Sequence, residues 1–123
     1  MIRLGDEATV RRAFTEQDLA DYLSLGGAPL PAGEVPEPLI GALFSYLLGV
    51  KVPGPGTNYL KQQTRFLRSV PLGGALTARV AVTRIRADKN LVDLETTCHG
   101  PDGTLLAEGR ALVYVEDVAD KGW

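Results

Sequence analysis

The chain has 123 residues, of which 45% are apolar and 23% are charged, so it is the size of one domain with one hydrophobic core. Thirteen Lys and Arg residues stand against fifteen Asp and Glu residues, and the net charge of -2 argues against a nucleic-acid partner, which would need a positive field. One cysteine and one histidine cannot form a zinc-type cluster, so no metal site and no cofactor are predicted.

The N-terminal residues lack the basic start, the apolar stretch and the cleavage site of a secretory signal, which predicts a cytoplasmic location. The longest apolar region, Leu39 to Val50, contains Ser45 and Tyr46 and is shorter than the ~20 residues that span a bilayer. This region is typical of a buried helix, so no membrane association is predicted.

The first predicted elements are a strand and a short helix. Alternating apolar residues predict a strand from Ala8 to Phe14. Thr15 has the character of an N-cap and Asp18 follows three residues later, a carboxylate variant of the capping box, so a helix should begin here. Gly26 and Gly27 should end it, because glycine accepts the left-handed conformation found at helix C-termini.

A proline-rich loop, an apolar helix and four further strands are predicted next. Four prolines between Ala28 and Pro38 preclude a regular element and predict a stiff loop. Apolar residues at three- and four-residue spacing from Leu39 to Leu48 predict a helix. Turn residues then separate four strand patterns, which run over residues 58–69, 75–86, 91–99 and 104–115.

These elements predict an α+β domain in which a curved antiparallel sheet wraps one helix that is too apolar to lie on the surface. We assign residues 1–116 to this single domain and residues 117–123 to a C-terminal tail. The tail is expected to fray, with Trp123 as the one side chain in it that is suited to docking.

Several segments resemble the MaoC-like (R)-specific enoyl-CoA hydratases. The stretch from Leu47 to Leu60 carries most of the likeness, and Arg65-Phe-Leu-Arg68 and Pro71-Leu-Gly73 extend it. Shorter similar segments lie at residues 5–7, 14–18, 77–83 and 94–98. The resemblance covers most of the chain and implies a hot-dog fold, an antiparallel sheet of about five strands wrapped around a long central helix.

The same resemblance implies an acyl thioester, carried by coenzyme A or by an acyl-carrier protein, as the substrate. It implies hydratase or dehydratase chemistry in fatty acid or polyketide metabolism. It also implies a homodimer with the sites at the interface, because hot-dog domains generally join two sheets into one, and a heterodimer stays open as the alternative.

The residues that perform hydration in that family are missing from this chain. The family's Gly-Asp-x-Asn-Pro-x-His motif supplies an Asp and a His that hold the added water. Here Ala28 stands at the Asp position and Gly33 at the His position, and neither side chain can transfer a proton. The family's next loop is also missing, since the chain runs directly into Glu34, so hydration by the family's route is not expected.

Two glutamates at the start of the apolar helix, Glu34 and Glu37, are the candidate catalytic residues. In such hot-dog enzymes the thioester carbonyl lies against backbone N–H groups at this helix end, and two prolines here leave the N–H groups of Glu37, Leu39 and Ile40 as donors. Either carboxylate would be a general base or a nucleophile. The structural alternative is that proline presets the first turn and glutamate complements the helix dipole.

The strand after the Pro-Gly loop contains the other candidate substrate-binding residues, because family members line the acyl pocket with this strand. Strict alternation places Tyr59, Lys61, Gln63 and Arg65 on one polar face. Tyr59, Gln62 and Gln63 lie where family members line the acyl pocket, and the donors of the polar face would hold the substrate or its pantetheine arm. Lys61, Arg65 and Arg68 would meet the phosphates of coenzyme A or an acidic carrier protein. The alternative is a solvated sheet face.

The single histidine and the single cysteine are adjacent, yet they do not predict a catalytic pair. His99 precedes a Gly-Pro-Asp-Gly turn, which is typical of a surface hairpin. Cys98 is expected to be a small buried hydrophobic residue. Consecutive strand residues point to opposite faces, so the two side chains should diverge.

Two hypotheses of function follow from these observations. The first is an acyl-thioester enzyme of altered chemistry, namely a dehydratase-like, thioesterase or cyclising protein, and it predicts a cavity that reaches Glu34 or Glu37. The second is a non-catalytic hot-dog binding module, or the silent subunit of a heterodimeric hydratase whose partner supplies the Asp and the His.

Overall fold

Five antiparallel strands are present in the part of the chain that the computed structural model describes, residues 1–29 and 33–123. The strands are β1 (Glu7–Arg12), β2 (Asn58–Phe66), β3 (Leu76–Arg86), β4 (Leu91–His99) and β5 (Leu105–Tyr114). They form one sheet in the order β1-β3-β4-β5-β2. The predicted number of strands and their antiparallel pairing are confirmed, while residues 30–32 of the predicted stiff loop lie outside the described residues.

The two faces of the sheet differ in polarity. The inner face carries buried apolar side chains such as Val80, Leu94 and Val113, whose alternation with polar residues defines each strand. On the outer face, Arg79 of β3 bonds Glu95 of β4 at 2.9 Å and Glu7 of β1 at 2.5 Å. One guanidinium therefore links three adjacent strands.

Asp93 lies among cations on the same outer face. It is only 7% exposed, and its carboxylate accepts hydrogen bonds from Arg86 at 2.9 Å and from Arg110 at 3.5 Å. Asp93 pairs with Leu112 across β4 and β5, so the cluster sits near the middle of the sheet. A carboxylate this deep needs such partners, because burial of an unpaired charge is costly.

The central helix, α2 (Glu37–Tyr46), packs against the inner face. Pro36 precedes it and Pro38 lies in its first turn, where a missing N–H removes no helical hydrogen bond. The helix therefore begins two residues before the predicted start at Leu39. Ile40 and Phe44 are fully buried, which anchors the helix in the core.

A wider helical turn, Leu47–Lys51, continues α2. The N–H of Val52 donates to the carbonyl of Leu47 at 2.8 Å, and this five-residue spacing is that of a π-type turn. The helix expected to be long thus consists of ten residues and this turn. Within the described residues, no helix has the length and apolar character needed to cross a bilayer.

The first helix, α1 (Glu16–Ser24), begins with the predicted capping box. The N–H of Asp18 donates to the hydroxyl of Thr15 at 3.1 Å, and the N–H of Thr15 donates to the carboxylate of Asp18 at 2.9 Å. The backbone bond from Thr15 lowers the pKa of Asp18. The predicted stop is also confirmed, because Gly26 has φ +101 and ends the helix in the left-handed region.

The C-terminal ends of three strands lie one to three residues before the predicted positions. β1 stops at Arg12 because the chain turns Phe14 into the core, where it is 5% exposed and its carbonyl accepts the N–H of Gly73 at 2.8 Å. β2 stops at Phe66 and β5 at Tyr114. Tertiary contacts at the strand ends, rather than the alternation pattern, decide these positions.

The prediction that the C-terminal tail frays is wrong. The carbonyl of Lys121 accepts the N–H of Ile2 at 2.9 Å, Val118 is buried, and the indole N–H of Trp123 donates to Asn90 Oδ1 at 2.8 Å. Asn90 has φ 54 in the turn between β3 and β4. The tail is therefore hydrogen-bonded both to the N-terminal segment and to this turn. The docking suggested for Trp123 is confirmed.

Candidate active site between the central helix and the edge strand

A bulge at Leu60 decides which residues of β2 face the helix. Tyr59 pairs with Val113, but Lys61 pairs with Leu112, so one extra residue lies between the two pairs. Val113 is fully buried and faces inward, and Tyr59 therefore faces inward with it. Lys61 is turned to the outer face.

This bulge makes the predicted polar face of β2 wrong. Gln63 pairs with Arg110 and Arg65 pairs with Glu108 on the outer face, where Arg65 also forms an exposed ion pair with Glu108 at 2.6 Å. Tyr59 lies on the opposite side of the strand. Gln63 and Arg65 thus do not converge with Tyr59 on one site.

An open cleft of about 510 Å³ lies between α2, along its whole length, and the inner face of β2, and we call it the α2–β2 cavity. Its lining residues are Glu37, Pro38, Gly41, Ala42, Ser45, Gln62, Thr64 and Phe66. Gly41 and Ala42 have small side chains, so they leave space beside the helix. The polar atoms of the lining belong to one carboxylate, two hydroxyl groups and one amide.

The two candidate glutamates are placed differently. Glu37 lines the α2–β2 cavity and is exposed. Glu34 is not among the residues that line it, and its backbone instead forms an isolated β-bridge with Pro71. The neighbouring N–H of Val35 donates to the Val70 carbonyl at 2.7 Å. Of the two glutamates, Glu37 therefore lies at the cavity and Glu34 lies in a strand-like contact away from it.

The predicted backbone donors at the helix start are only partly available. The N–H of Leu39 donates to the carbonyl of Pro36 at 3.0 Å, so this group is already used and the expectation is wrong for Leu39. The side chain of Ile40 is fully buried in the core. A ligand therefore cannot contact that side chain, and Ile40 is the fourth residue of the helix, whose N–H belongs to the first helical turn. Of the three predicted donors, the N–H of Glu37 stays available.

A hydrogen bond links Tyr59 to the cavity lining. The Tyr59 hydroxyl donates to Gln62 Oε1 at 3.1 Å, and burial raises the pKa of Tyr59. The hydroxyl therefore stays protonated over the physiological range and fixes the orientation of the Gln62 amide. Gln62 is one of the residues that line the α2–β2 cavity.

The prediction for Cys98 is confirmed. Its side chain is fully buried, and burial raises the pKa of the thiol to about 11, which suits a hydrophobic residue rather than a nucleophile. His99 ends β4 opposite Leu105, at the predicted hairpin. Neither residue lines the α2–β2 cavity.

Ser45 and Thr64 are site residues that the sequence patterns did not single out. Ser45 lies within an apolar helix and appears there as a small residue. Thr64 pairs with Gly109 on the inner face, a position that depends on the bulge at Leu60. The serine was the only visible signal, as a small polar residue in an otherwise apolar stretch, and its side chain is exposed.

Comparison with known proteins identifies similar chains. The (R)-specific enoyl-CoA hydratase of Rhodospirillum rubrum is 30% identical over 128 residues, covering 93% of this chain and 88% of the relative. That alignment is longer than this chain, so the relative contains residues with no counterpart here. The (R)-specific enoyl-CoA hydratase of Aeromonas caviae is 41% identical over 75 residues, 61% of this chain. This match spans about half the length of the relative, 56%.

A solved structure agrees with the sequence relatives. The (R)-hydratase from Aeromonas caviae involved in PHA biosynthesis superposes with a TM-score of 0.88 at 30% identity, over 93% of this chain and 97% of that chain. No family model matches the sequence. The relatives and the shared sheet-and-helix architecture together establish that the chain belongs to the MaoC-like (R)-specific enoyl-CoA hydratase family of hot-dog proteins.

Proposed function

We propose that the α2–β2 cavity binds an acyl thioester of coenzyme A or of an acyl-carrier protein, and that Glu37 is the general base there. The observation that carries the proposal is the position of Glu37 at the start of α2, in the lining of that cavity. The relatives are named as enoyl-CoA hydratases, which supports a thioester ligand. The resemblance assigns Ala28 and Gly33 to the family's Asp and His positions, and on that assignment the proposed chemistry uses other groups.

The lining supplies groups for one water-dependent step. The Glu37 carboxylate takes a proton from a bound water, and the oxygen of that water forms a bond to the substrate. If it attacks the thioester carbonyl, the carbon–sulfur bond breaks and the products are the acid and the free thiol. If it adds to an enoyl double bond, the proton returns to the α-carbon and the product is a hydroxyacyl thioester.

The opposite wall of the cavity would position the thioester. The hydroxyl groups of Ser45 and Thr64 and the amide of Gln62 are hydrogen-bond donors, and all three residues line the cavity. Their donors balance the negative charge of Glu37, which alone would repel the charge that develops on a carbonyl oxygen. Tyr59 acts through Gln62, whereas Gln63 and Arg65 have no part in this set because they lie on the outer face.

We also propose that the protein forms a homodimer through β2. This strand is at the edge of the sheet, and its outer edge has no partner within the described chain. Its exposed side chains include Leu60 at 52%, and an edge with free backbone groups and apolar side chains favours pairing with a second strand. Such a dimer would bring two α2–β2 cavities to the interface.

Two matched substitutions test the role of Glu37. Purified protein is offered butyryl-CoA and crotonyl-CoA, and mass spectrometry reads release of free thiol and gain or loss of water. We expect Glu37→Gln to lower kcat by about a hundredfold and Glu34→Gln to leave it unchanged. Equal activity of the wild type and Glu37→Gln would overturn the base assignment.

The second candidate function is that of a silent subunit or binding module. The observation that favours it is the absence of a proton-transferring side chain at Ala28 and Gly33. In this case native mass spectrometry would show a dimer that binds the thioesters and converts none of them. Turnover by the isolated protein would reject this alternative.

A further inference from the structure

A second cavity lies on the neighbouring side of α2, beneath α1. Its volume is about 440 Å³, within the range of small-molecule sites, and we call it the α1 cavity. Val10 and Phe14 line it from the sheet side, Tyr22 lines it from α1, and Leu39 and Leu43 line it from α2. These walls are mainly apolar, so the group that fits them is apolar too.

The α1 helix covers this cavity without being buried itself. None of its residues is buried, although its apolar side chains would ordinarily be packed into a core. Leu25, which follows the helix, is 89% exposed, and Tyr46 at the other wall is 43% exposed. Apolar side chains that are usually buried in a folded protein are thus exposed to water around this one cavity.

Ala42 connects the α1 cavity to the α2–β2 cavity, because it lines both of them. Its side chain is a single exposed methyl group, so no bulky side chain stands between the two cavities at this point of the α2 surface. Leu39 lines the α1 cavity. An apolar chain that begins in the α2–β2 cavity can therefore continue across Ala42 to Leu39.

Charges at the rim of the α1 cavity oppose a free acid. Arg12 is already paired with Asp18 at 3.3 Å, and Asp21 adds a second carboxylate to the lining. The net charge of these three groups is negative, so the rim of the cavity would repel the carboxylate of a free fatty acid. A neutral acyl tail whose head group lies elsewhere meets no such repulsion.

We infer that the α1 cavity holds the distal part of the acyl chain of a thioester whose carbonyl lies in the α2–β2 cavity. The ligand class is therefore a medium- or long-chain acyl thioester. This inference rests on the proposed function, and it adds the length of the acyl group and the path of the chain across α2.

The test compares chain-length dependence in two matched variants. Calorimetry gives the Kd of butyryl-, octanoyl- and decanoyl-CoA and of free decanoate. Val10→Phe adds bulk inside the α1 cavity, whereas Val50→Phe makes the same change at a side chain that is 51% exposed and lines neither cavity. If Val10→Phe does not fold, Tyr22→Ala, which removes a wall of the cavity from an unburied helix, replaces it.

We expect affinity to rise from butyryl- to decanoyl-CoA in the wild type and in Val50→Phe, with decanoate bound far more weakly. Val10→Phe should raise the Kd of decanoyl-CoA about tenfold, which corresponds to losing the burial of a few methylene groups. It should leave the Kd of butyryl-CoA unchanged. The inference is overturned if the wild-type affinity does not depend on acyl-chain length, or if Val10→Phe weakens binding equally at all chain lengths. Either result leaves the proposed function standing. Failure to bind any thioester overturns both.

Discussion

The hydroxyl of Tyr59 donates a hydrogen bond to Gln62 Oε1 at 3.1 Å, although the two residues are three positions apart on one strand. In a regular strand such residues point to opposite faces. The bulge at Leu60 places both on the inner face, where Gln62 lines the α2–β2 cavity. The edge strand thus holds an amide of the cavity lining through a side chain that regular alternation would place on the other face.

This hydrogen bond predicts coupling between the two residues in ligand binding. Tyr59→Phe frees the Gln62 amide to rotate, so we expect the Kd of butyryl-CoA to rise several-fold, about the loss of one hydrogen bond. Gln62→Ala should raise it by a similar factor. The double variant should be no worse than Gln62→Ala alone, as measured by calorimetry, and additive losses would show that the two side chains act independently.

Removal of Asp93 should destabilise the fold more than removal of its exposed partner, Arg110. Asp93→Ala leaves Arg86 without its carboxylate, and Arg86 Nε is already buried with no hydrogen-bond partner among the described residues. We expect a loss of about 2 kcal/mol in the free energy of unfolding, measured by urea denaturation.

Arg110→Ala is the matched control for Asp93. The Arg110 side chain is 73% exposed and its contact with Asp93 is 3.5 Å long, so its removal should cost less than about 0.5 kcal/mol. If Asp93→Ala and Arg110→Ala lowered the free energy of unfolding equally, the burial of Asp93 would have no energetic consequence.

Gly109→Ala should weaken the pairing of β2 with β5. A Cβ atom at Gly109 would overlap the carbonyl of Gln63, so the edge strand would have to move away, at an expected cost of about 2 kcal/mol. Gly49→Ala serves as the comparison, because a Cβ there meets no atom within 4 Å. Urea midpoints should fall for Gly109→Ala and stay the same for Gly49→Ala.

The Cys98 thiol should be unreactive in the native protein. Burial raises its pKa from 9.0 to about 11, so almost no thiolate is present at pH 8, and a disulfide reagent should react only as fast as the protein opens. The raised pKa also favours the folded state below pH 9, and this contribution should be lost as the pH rises from 9 to 11. In Cys98→Ala, that part of the alkaline decline in stability should disappear, and an unchanged decline would assign it to other groups.

Local patterns predicted those parts of the fold that local chemistry determines. Thr15 and Asp18 specified the start of α1, and the turn containing Asn90 separated β3 from β4 at the expected place. The docked tail was not predicted, because Trp123 and Asn90 are neighbours in space and 33 positions apart in sequence. No alternation pattern records such a contact.

Only one wall of the candidate site, the start of α2, could be predicted from the sequence. The proline-flanked helix start made Glu37 a candidate, and the structure places it in the cavity. The opposite wall depends on the bulge at Leu60, which neither glycine nor proline announces, so Gln63 and Arg65 were assigned to a face that they do not share with Tyr59. A single unpaired residue thereby reverses every downstream assignment on that strand.

The order of strands in the sheet also constrains how the chain is assembled during synthesis. Among the five described strands, β1 and β2 come first in the sequence, yet they lie at opposite edges of the sheet. During synthesis β1 can pair only once β3 has been made, and β2 only once β5 has been made. The wall of the candidate site is therefore completed only after β5 has emerged from the ribosome, and until then the apolar helix α2 has no sheet to cover it and is open to contact with other chains.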